Sequence, residues 1–304
     1  MQSIIAQGAH TAYLDSNPNA SSKTPIVLCL HGIASSSYMY RNVTNDLAFK
    51  ARVITPDLPG FGQSQKKCPW ELSLSAYTLW LDDFIEQVIG KDQRFHLILH
   101  DISGPVGLNW AINNQNRIKS LLLLNTSIFI EHFRPPLIAL AGAIPRVGNR
   151  ILHWAMQPQR LKTIWQREFS SPVNHDEINQ YCSPYDDSQS CDALAEVFNQ
   201  LPQGVSLLHQ LRGQLKNLQI PCTILFGASD KYCKPANATA FAQIIDGATL
   251  RFIQGVGHFI AEDAPYAVSE EMRELMKKTG EHLGALSCVT PIEDIEEPRR
   301  KLAS

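Results

Sequence analysis

The sequence predicts an α/β protein, with a mostly parallel central sheet flanked by helices. Three observations carry this expectation. Apolar runs, unbroken at residues 26–30 and 121–124 and interrupted by one polar residue each at 95–99 and 222–226, have the length of strands buried on both faces. Most are followed by a loop rich in glycine, proline or serine and then by apolar residues at helical spacing. The alternation breaks off after residue 126 and resumes at about 219, so the chain reads as one core with an insertion.

Taken in order, residues 11–14 form a short strand candidate, followed by a turn-rich stretch over 15–23. The run 26–30 ends in His31-Gly32-Ile33-Ala34, and three serines (Ser35, Ser36, Ser37) start a helix reaching to about Lys50. A strand at 52–56 leads into the loop Asp57-Leu-Pro-Gly-Phe-Gly-Gln-Ser64. A helix is expected over 73–89, before the strand 95–100. After the strand ending at Asn125-Thr126 come six proline-punctuated sites (Pro135-Pro136, Pro145, Pro158, Pro172, Pro184, Pro202) between short helical patterns. These predict a helical lid or cap over 127–218, placed where it can cover the carboxyl ends of the strands. The core then resumes with a strand at 221–226, a helix at 235–245, a strand at 249–253 and a helix at 265–278. The expected division is therefore core over 1–126, lid over 127–218, core again over 219–280 and a polar tail over 281–304.

Composition bounds the function. With 304 residues, 44% hydrophobic and 18% charged, the chain has the makeup of a globular protein with a full core. A net charge of -2 offers no electrostatic handle for nucleic acid or an anionic membrane. No apolar run approaches the ~20 residues a membrane-spanning helix needs, and the N-terminus carries no secretory pattern. Seven scattered cysteines lack paired metal spacing, which is expected of reduced thiols in a cytoplasmic protein. No metal or cofactor is expected, because no ligand cluster stands out.

The chemistry concentrates at His100-Asp101-Ile102-Ser103-Gly104, where an apolar strand turns abruptly into a helix. Such a strand–turn–helix elbow lifts one side chain above the sheet edge and places a helix N-terminus behind it. The turn needs small residues just after the nucleophile, and Ser103 and Gly104 supply them if Asp101 is that residue. Framed on Ser103 instead, both glycine positions of G-x-S-x-G are wrong. Asp101 is also readable as a plain helix cap. Two later strand ends offer an acid, Asp230 in Gly227-Ala-Ser-Asp230, and a base, His258 in Gly255-Val-Gly-His258. Asn125 occupies the other strand end where an acid would serve, but it has no charge to stabilise an imidazolium.

Four motifs, in this order and spacing, carry a resemblance: His31-Gly32 with Ser36-Ser-Tyr-Met-Tyr-Arg-Asn42, the loop 57–64, His100-Asp101, and Gly257-His258-Phe-Ile-Ala-Glu-Asp-Ala-Pro265. The chain resembles the α/β-hydrolases of the branch that holds haloalkane dehalogenases, epoxide hydrolases and mesoderm-specific transcript proteins. The resemblance implies the α/β-hydrolase fold with a helical lid. It also implies that Asp101 attacks a saturated carbon to form an alkyl ester, which a water activated by His258 and oriented by Asp230 then cleaves. The backbone N–H groups of Ile33 and Ile102 would form the oxyanion hole. The expected substrate is a small, largely apolar organic molecule.

The departures select among reactions. Dehalogenases of this branch carry a tryptophan after the nucleophile, often with an asparagine or second tryptophan, to hold the halide. Ile102 and Ile33 stand there and have no side-chain donor, so dehalogenation requires Trp154, Trp165 or another lid donor. Epoxide opening would draw on lid tyrosines, for which Tyr181 and Tyr185 are candidates. Epoxide hydrolysis is therefore expected ahead of dehalogenation, with an ester or lactone hydrolase and a catalytically silent ligand-binding protein as the remaining alternatives.

Overall fold

The computed structural model describes residues 1–142, 144, 147–170 and 172–281. Among these, eight strands form one sheet: β1 (Gln2–Ala6), β2 (Ala9–Asp15), β3 (Ile26–Leu30), β4 (Arg52–Pro56), β5 (Phe95–His100), β6 (Ile118–Leu124), β7 (Cys222–Gly227) and β8 (Thr249–Ile253). Their order is β1-β2-β4-β3-β5-β6-β7-β8. The β1–β2 and β2–β4 pairs are antiparallel, and every pair from β4 to β8 is parallel. This is the doubly wound α/β architecture of the α/β-hydrolase fold. β3 and β5 are buried along their whole length, since helices cover both faces of the sheet and leave no polar side to alternate with.

The crossover helices α1 (Arg41–Leu47), α2 (Leu74–Val88) and α3 (Ser103–Asn113) precede β4, β5 and β6 respectively. Ser73 caps α2 by accepting from the Ala76 N–H. The expected helix from Ser35 to Lys50 is divided. A 3₁₀ turn, capped by the Ser36 hydroxyl, spans Ser37–Tyr40 before α1 begins. β1 lies outside the sequence expectation altogether. It is an outer strand with three of its five residues exposed, so its apolar pattern is weak, and the Gln7-Gly8 turn pairs it with β2.

Between β6 and β7 lie α4 (Leu137–Gly142), α5 (Gly148–Ala155), α6 (Pro158–Glu168), α7 (His175–Cys182), α8 (Ser188–Gln200) and α9 (Val205–Gln214). α7 begins in a reciprocal cap, with Asn174 accepting from the Glu177 N–H while the Glu177 carboxylate accepts from the Asn174 N–H. α10 (Pro235–Ile244) connects β7 to β8, and α11 (Ile260–Asp263) and α12 (Pro265–Lys278) follow β8.

One charged cluster ties the helical insertion to the core. Arg41 on α1 forks onto both oxygens of Glu262 on α11, each at 2.6 Å, and reaches Glu177 on α7 at 2.7 Å. The Tyr181 hydroxyl, also on α7, donates to Glu262 at 2.5 Å. Bidentate Arg–carboxylate pairing of this kind fixes orientation as well as contributing energy. Apart from Glu281, which pairs with Lys119, the expected polar tail lies outside the described residues.

Candidate active site

β5 runs straight into the elbow, and Asp101 sits at φ 53°. A residue with a Cβ is held in that left-handed region only where its surroundings impose it, at a cost of about 1–3 kcal/mol. The surroundings here are specific. The Thr126 hydroxyl donates to the Asp101 carbonyl at 2.6 Å, and Gly104 N–H donates to the same carbonyl at 3.0 Å. Ser103 has no exposed surface. Its hydroxyl accepts the His100 backbone N–H at 2.8 Å and lies 2.8 Å from the Leu30 carbonyl, stitching the elbow to β3.

Gly104 packs so closely that a Cβ there would overlap the Thr126 side chain. Gly104→Ala is expected to destabilise the fold by about 1–3 kcal/mol, read as a lower midpoint in urea unfolding. Gly32 has the same logic, for a Cβ there would lie 2.5 Å from that of Asp101.

The two oxygens of Asp101 are not equivalent. Oδ2 accepts the Ile33 N–H at 2.7 Å, while Oδ1 lies 3.7 Å from His258 Nε2. Ile102 opens the elbow helix immediately behind. On the far side of the imidazole, His258 Nδ1 is 2.8 Å from Asp230 Oδ2. Asp230 is itself held on both oxygens: Oδ1 accepts from the N–H groups of Tyr232 (2.8 Å) and Cys233 (3.1 Å), and Oδ2 accepts from the Asn125 side-chain amide (2.7 Å). Asn125 therefore supports the acid from the neighbouring strand end, using its Oδ1 to accept the Gly227 N–H as well.

Burial disfavours a charged imidazole, but the negative charge and hydrogen bond of Asp230, with Asp101 and Glu168 adding to them, outweigh it and raise the pKa of His258 to about 9. Burial likewise works against the Asp230 carboxylate, and the facing imidazolium wins, holding it below the usual value. His100 Nε2 lies 2.9 Å from the His258 carbonyl. Burial, then the charge of His258, lowers the His100 pKa to about 4, so it is a neutral donor that fixes the backbone of the base.

Asp230, Cys233 and His258 bring three potential metal-ligand atoms within 4.8 Å of one another. The Cys233 thiol is pushed up by burial and the nearby carboxylates, and Asp230 is fully engaged in hydrogen bonds. That donor set fits an acid–base pair better than a cation cage.

A cavity of about 140 Å³ opens above Asp101 and His258, lined largely by carbon and including Trp165, Glu168 and Tyr232. Of the four lid donors considered from sequence, Trp165 alone is part of this wall. Its indole N–H is buried without a hydrogen-bond partner. Tyr181 spends its hydroxyl on Glu262, Tyr185 lines a separate small cavity with Ser36 and Lys66, and Trp154 is 60% exposed under Arg160. Beside Glu168, the polar group of this wall that sequence reasoning overlooked is Tyr232. Its hydroxyl donates to Glu168 Oε1 at 2.8 Å, and its ring stands edge-on to His258. Only its place two residues after Asp230 was a signal.

The fold and the elbow define an enzyme of the α/β type. A family model described as "alpha/beta hydrolase fold" matches residues 25–265. A cis-3-alkyl-4-alkyloxetan-2-one decarboxylase of Xanthomonas campestris pv. campestris is 24% identical over 295 residues, covering 90% of this chain and 94% of that protein. A haloalkane dehalogenase of Agrobacterium fabrum is 24% identical, covering 82% and 83%. Among solved structures, a haloalkane dehalogenase from Bradyrhizobium elkani superposes with a TM-score of 0.80 at 20% identity, covering 91% of this chain and 97% of that one, which shows the shared fold. The chain belongs to the α/β-hydrolase fold family. Among the described residues no helix is long and apolar enough to cross a membrane.

Proposed function

We propose that the chain is an epoxide hydrolase-like hydrolase acting through a covalent ester on Asp101, with the insertion as its lid. The observation that carries this reading is the division of labour between the Asp101 oxygens. Oδ2 is anchored on the Ile33 N–H, and Oδ1 is left to attack. In the first step Oδ1 forms a bond to a ring carbon while the ring C–O bond breaks and its electron pair becomes an alkoxide. The Tyr232 hydroxyl, turning from Glu168, gives the alkoxide its proton and is reprotonated from solvent. Burial first, then the Glu168 carboxylate, raises the Tyr232 pKa, which suits it to protonate a strongly basic oxygen and not to stay ionised.

Esterification removes the Asp101 charge, one of the influences that keep His258 protonated. The imidazole then loses its proton and takes one from water, whose oxygen adds to the ester carbonyl carbon. The negative charge appears on Oδ2, where the N–H groups of Ile33 and Ile102 stabilise it; one such donor contributes about 3–4 kcal/mol. Collapse expels the diol alkoxide, which takes the proton back from His258. Asp101 finally returns its own proton to the imidazole, restoring the charged pair.

A second reading, haloalkane dehalogenation, is favoured by one observation, the unpaired indole N–H of Trp165 beside the cavity. The two readings separate on single substitutions. With an epoxide, Tyr232→Phe is expected to slow alkylation by about 10²-fold or more while Trp165→Phe changes it little, measured as the pre-steady-state rate. The reverse pattern on a bromoalkane supports dehalogenation. An oxetanone, the ring in the name of the Xanthomonas relative, is opened by the same attack at saturated carbon and belongs in the substrate panel. The free thiols Cys29, Cys68, Cys182, Cys191, Cys222 and Cys233 support a reducing, cytoplasmic setting.

A further inference from the structure

The cavity above His258 is not the only space that reaches the nucleophile. A second one, of about 200 Å³, also reaches Asp101, with Ile102, Pro105 and Leu74 from the core and Val205 and Leu208 from α9 in its wall. Ile33, Asp101, Phe133 and Leu201 line both. Asp101 thus stands at the junction of two chambers, each walled mostly by carbon.

From this geometry we infer the shape of the substrate: its electrophilic carbon lies inside a chain, with one apolar arm in each chamber. The inference rests on the reading that Asp101 alkylates saturated carbon. Attack along one line forces the substituents of the reacting carbon and its neighbour outward, across that line. A molecule reactive at its end fills one chamber and leaves the other empty, forgoing the burial of apolar surface that a second arm would add. Either chamber is large enough for such an arm, since an apolar cavity of ~150 Å³ accepts a benzene-sized group. Apart from Asp101, the second chamber offers polar atoms only through Ser127 and Cys233 among its side chains, so an arm of hydrocarbon suits it better than a headgroup.

The test uses isomers of one chain: epoxyoctanes and bromooctanes with the reactive group at the end or in the middle. The preference is the ratio of kcat/KM for the middle isomer to that for the terminal one. In the wild-type chain the middle isomer is expected to lead by about tenfold or more. Val205→Phe narrows the second chamber and Ile164→Trp the first. Both positions are partly exposed, which favours folding of the variants. Each substitution is expected to lower the ratio. A terminal isomer that equals or beats the middle one, or a ratio that neither substitution moves, overturns the two-armed substrate while leaving the alkyl-ester reading intact. If no isomer of either class is turned over, and none leaves a mass adduct on the His258→Gln variant, the reading beneath the inference falls with it.

Discussion

Asp101→Asn is expected to abolish turnover, lowering kcat/KM by about 10⁴-fold or more on any substrate that the wild-type chain accepts, because loss of a nucleophile removes a whole covalent route. An amide is a far weaker nucleophile than a carboxylate, yet it has nearly the same shape. It keeps an oxygen for the Ile33 N–H and the turn imposed by Thr126 and Gly104. The urea midpoint is therefore expected to stay close to that of the wild-type chain. Activity on simple aryl esters that survives this substitution would instead favour acyl chemistry in which Asp101 is dispensable.

His258→Gln is expected to separate the two halves of the cycle. Alkylation needs only the ionised carboxylate and a leaving-group donor, so it continues. Ester cleavage loses its base and slows by about 10²–10⁴-fold. The pH dependence of cleavage in the wild-type chain follows the same logic. With both carboxylates charged, His258 is protonated below about pH 9 and cannot act as a base. Once Asp101 is an ester, that part of the upward shift is gone and the folded pKa drops. The single-turnover cleavage rate is thus expected to rise with pH to a plateau, with a midpoint below the value of about 9 that an NMR titration of the free enzyme would give for His258. A midpoint at or above the free-enzyme value would contradict the coupling between Asp101 and His258.

The parts legible in the sequence are those written locally. Continuous apolar strands, the abrupt turn at Asp101 and the loops bearing Asp230 and His258 all follow from neighbouring residues, and the structure brings those three side chains together. The parts that were not legible depend on contacts far apart in the chain. Tyr181 and Trp165 sit on adjacent insertion helices with similar aromatic surroundings, and nothing local says that one faces Glu262 and the other the cavity. The partner that decides the fate of Tyr181 is 81 residues away. Asn125 has no charge with which to serve as an acid, yet it acts on Asp230 across 105 residues as a hydrogen-bond donor. β1 escaped notice because a mostly exposed outer strand has little apolar pattern to read. The second chamber beside Asp101 is likewise the product of residues from the loop after β3, the elbow, α2 and α9 meeting in space.

The most direct test of the central claim, that Asp101 is a covalent nucleophile, is the intact mass of His258→Gln after incubation with a panel of epoxides, bromoalkanes and oxetanones, followed by peptide mapping of any adduct. One substrate-sized adduct is expected, located on the peptide containing Asp101 and absent from the double variant that also carries Asp101→Asn. An adduct retaining the ring oxygen identifies epoxide opening, and one lacking its halogen identifies dehalogenation. An adduct on a different residue, or no adduct from any compound that the wild-type chain consumes, would contradict the account.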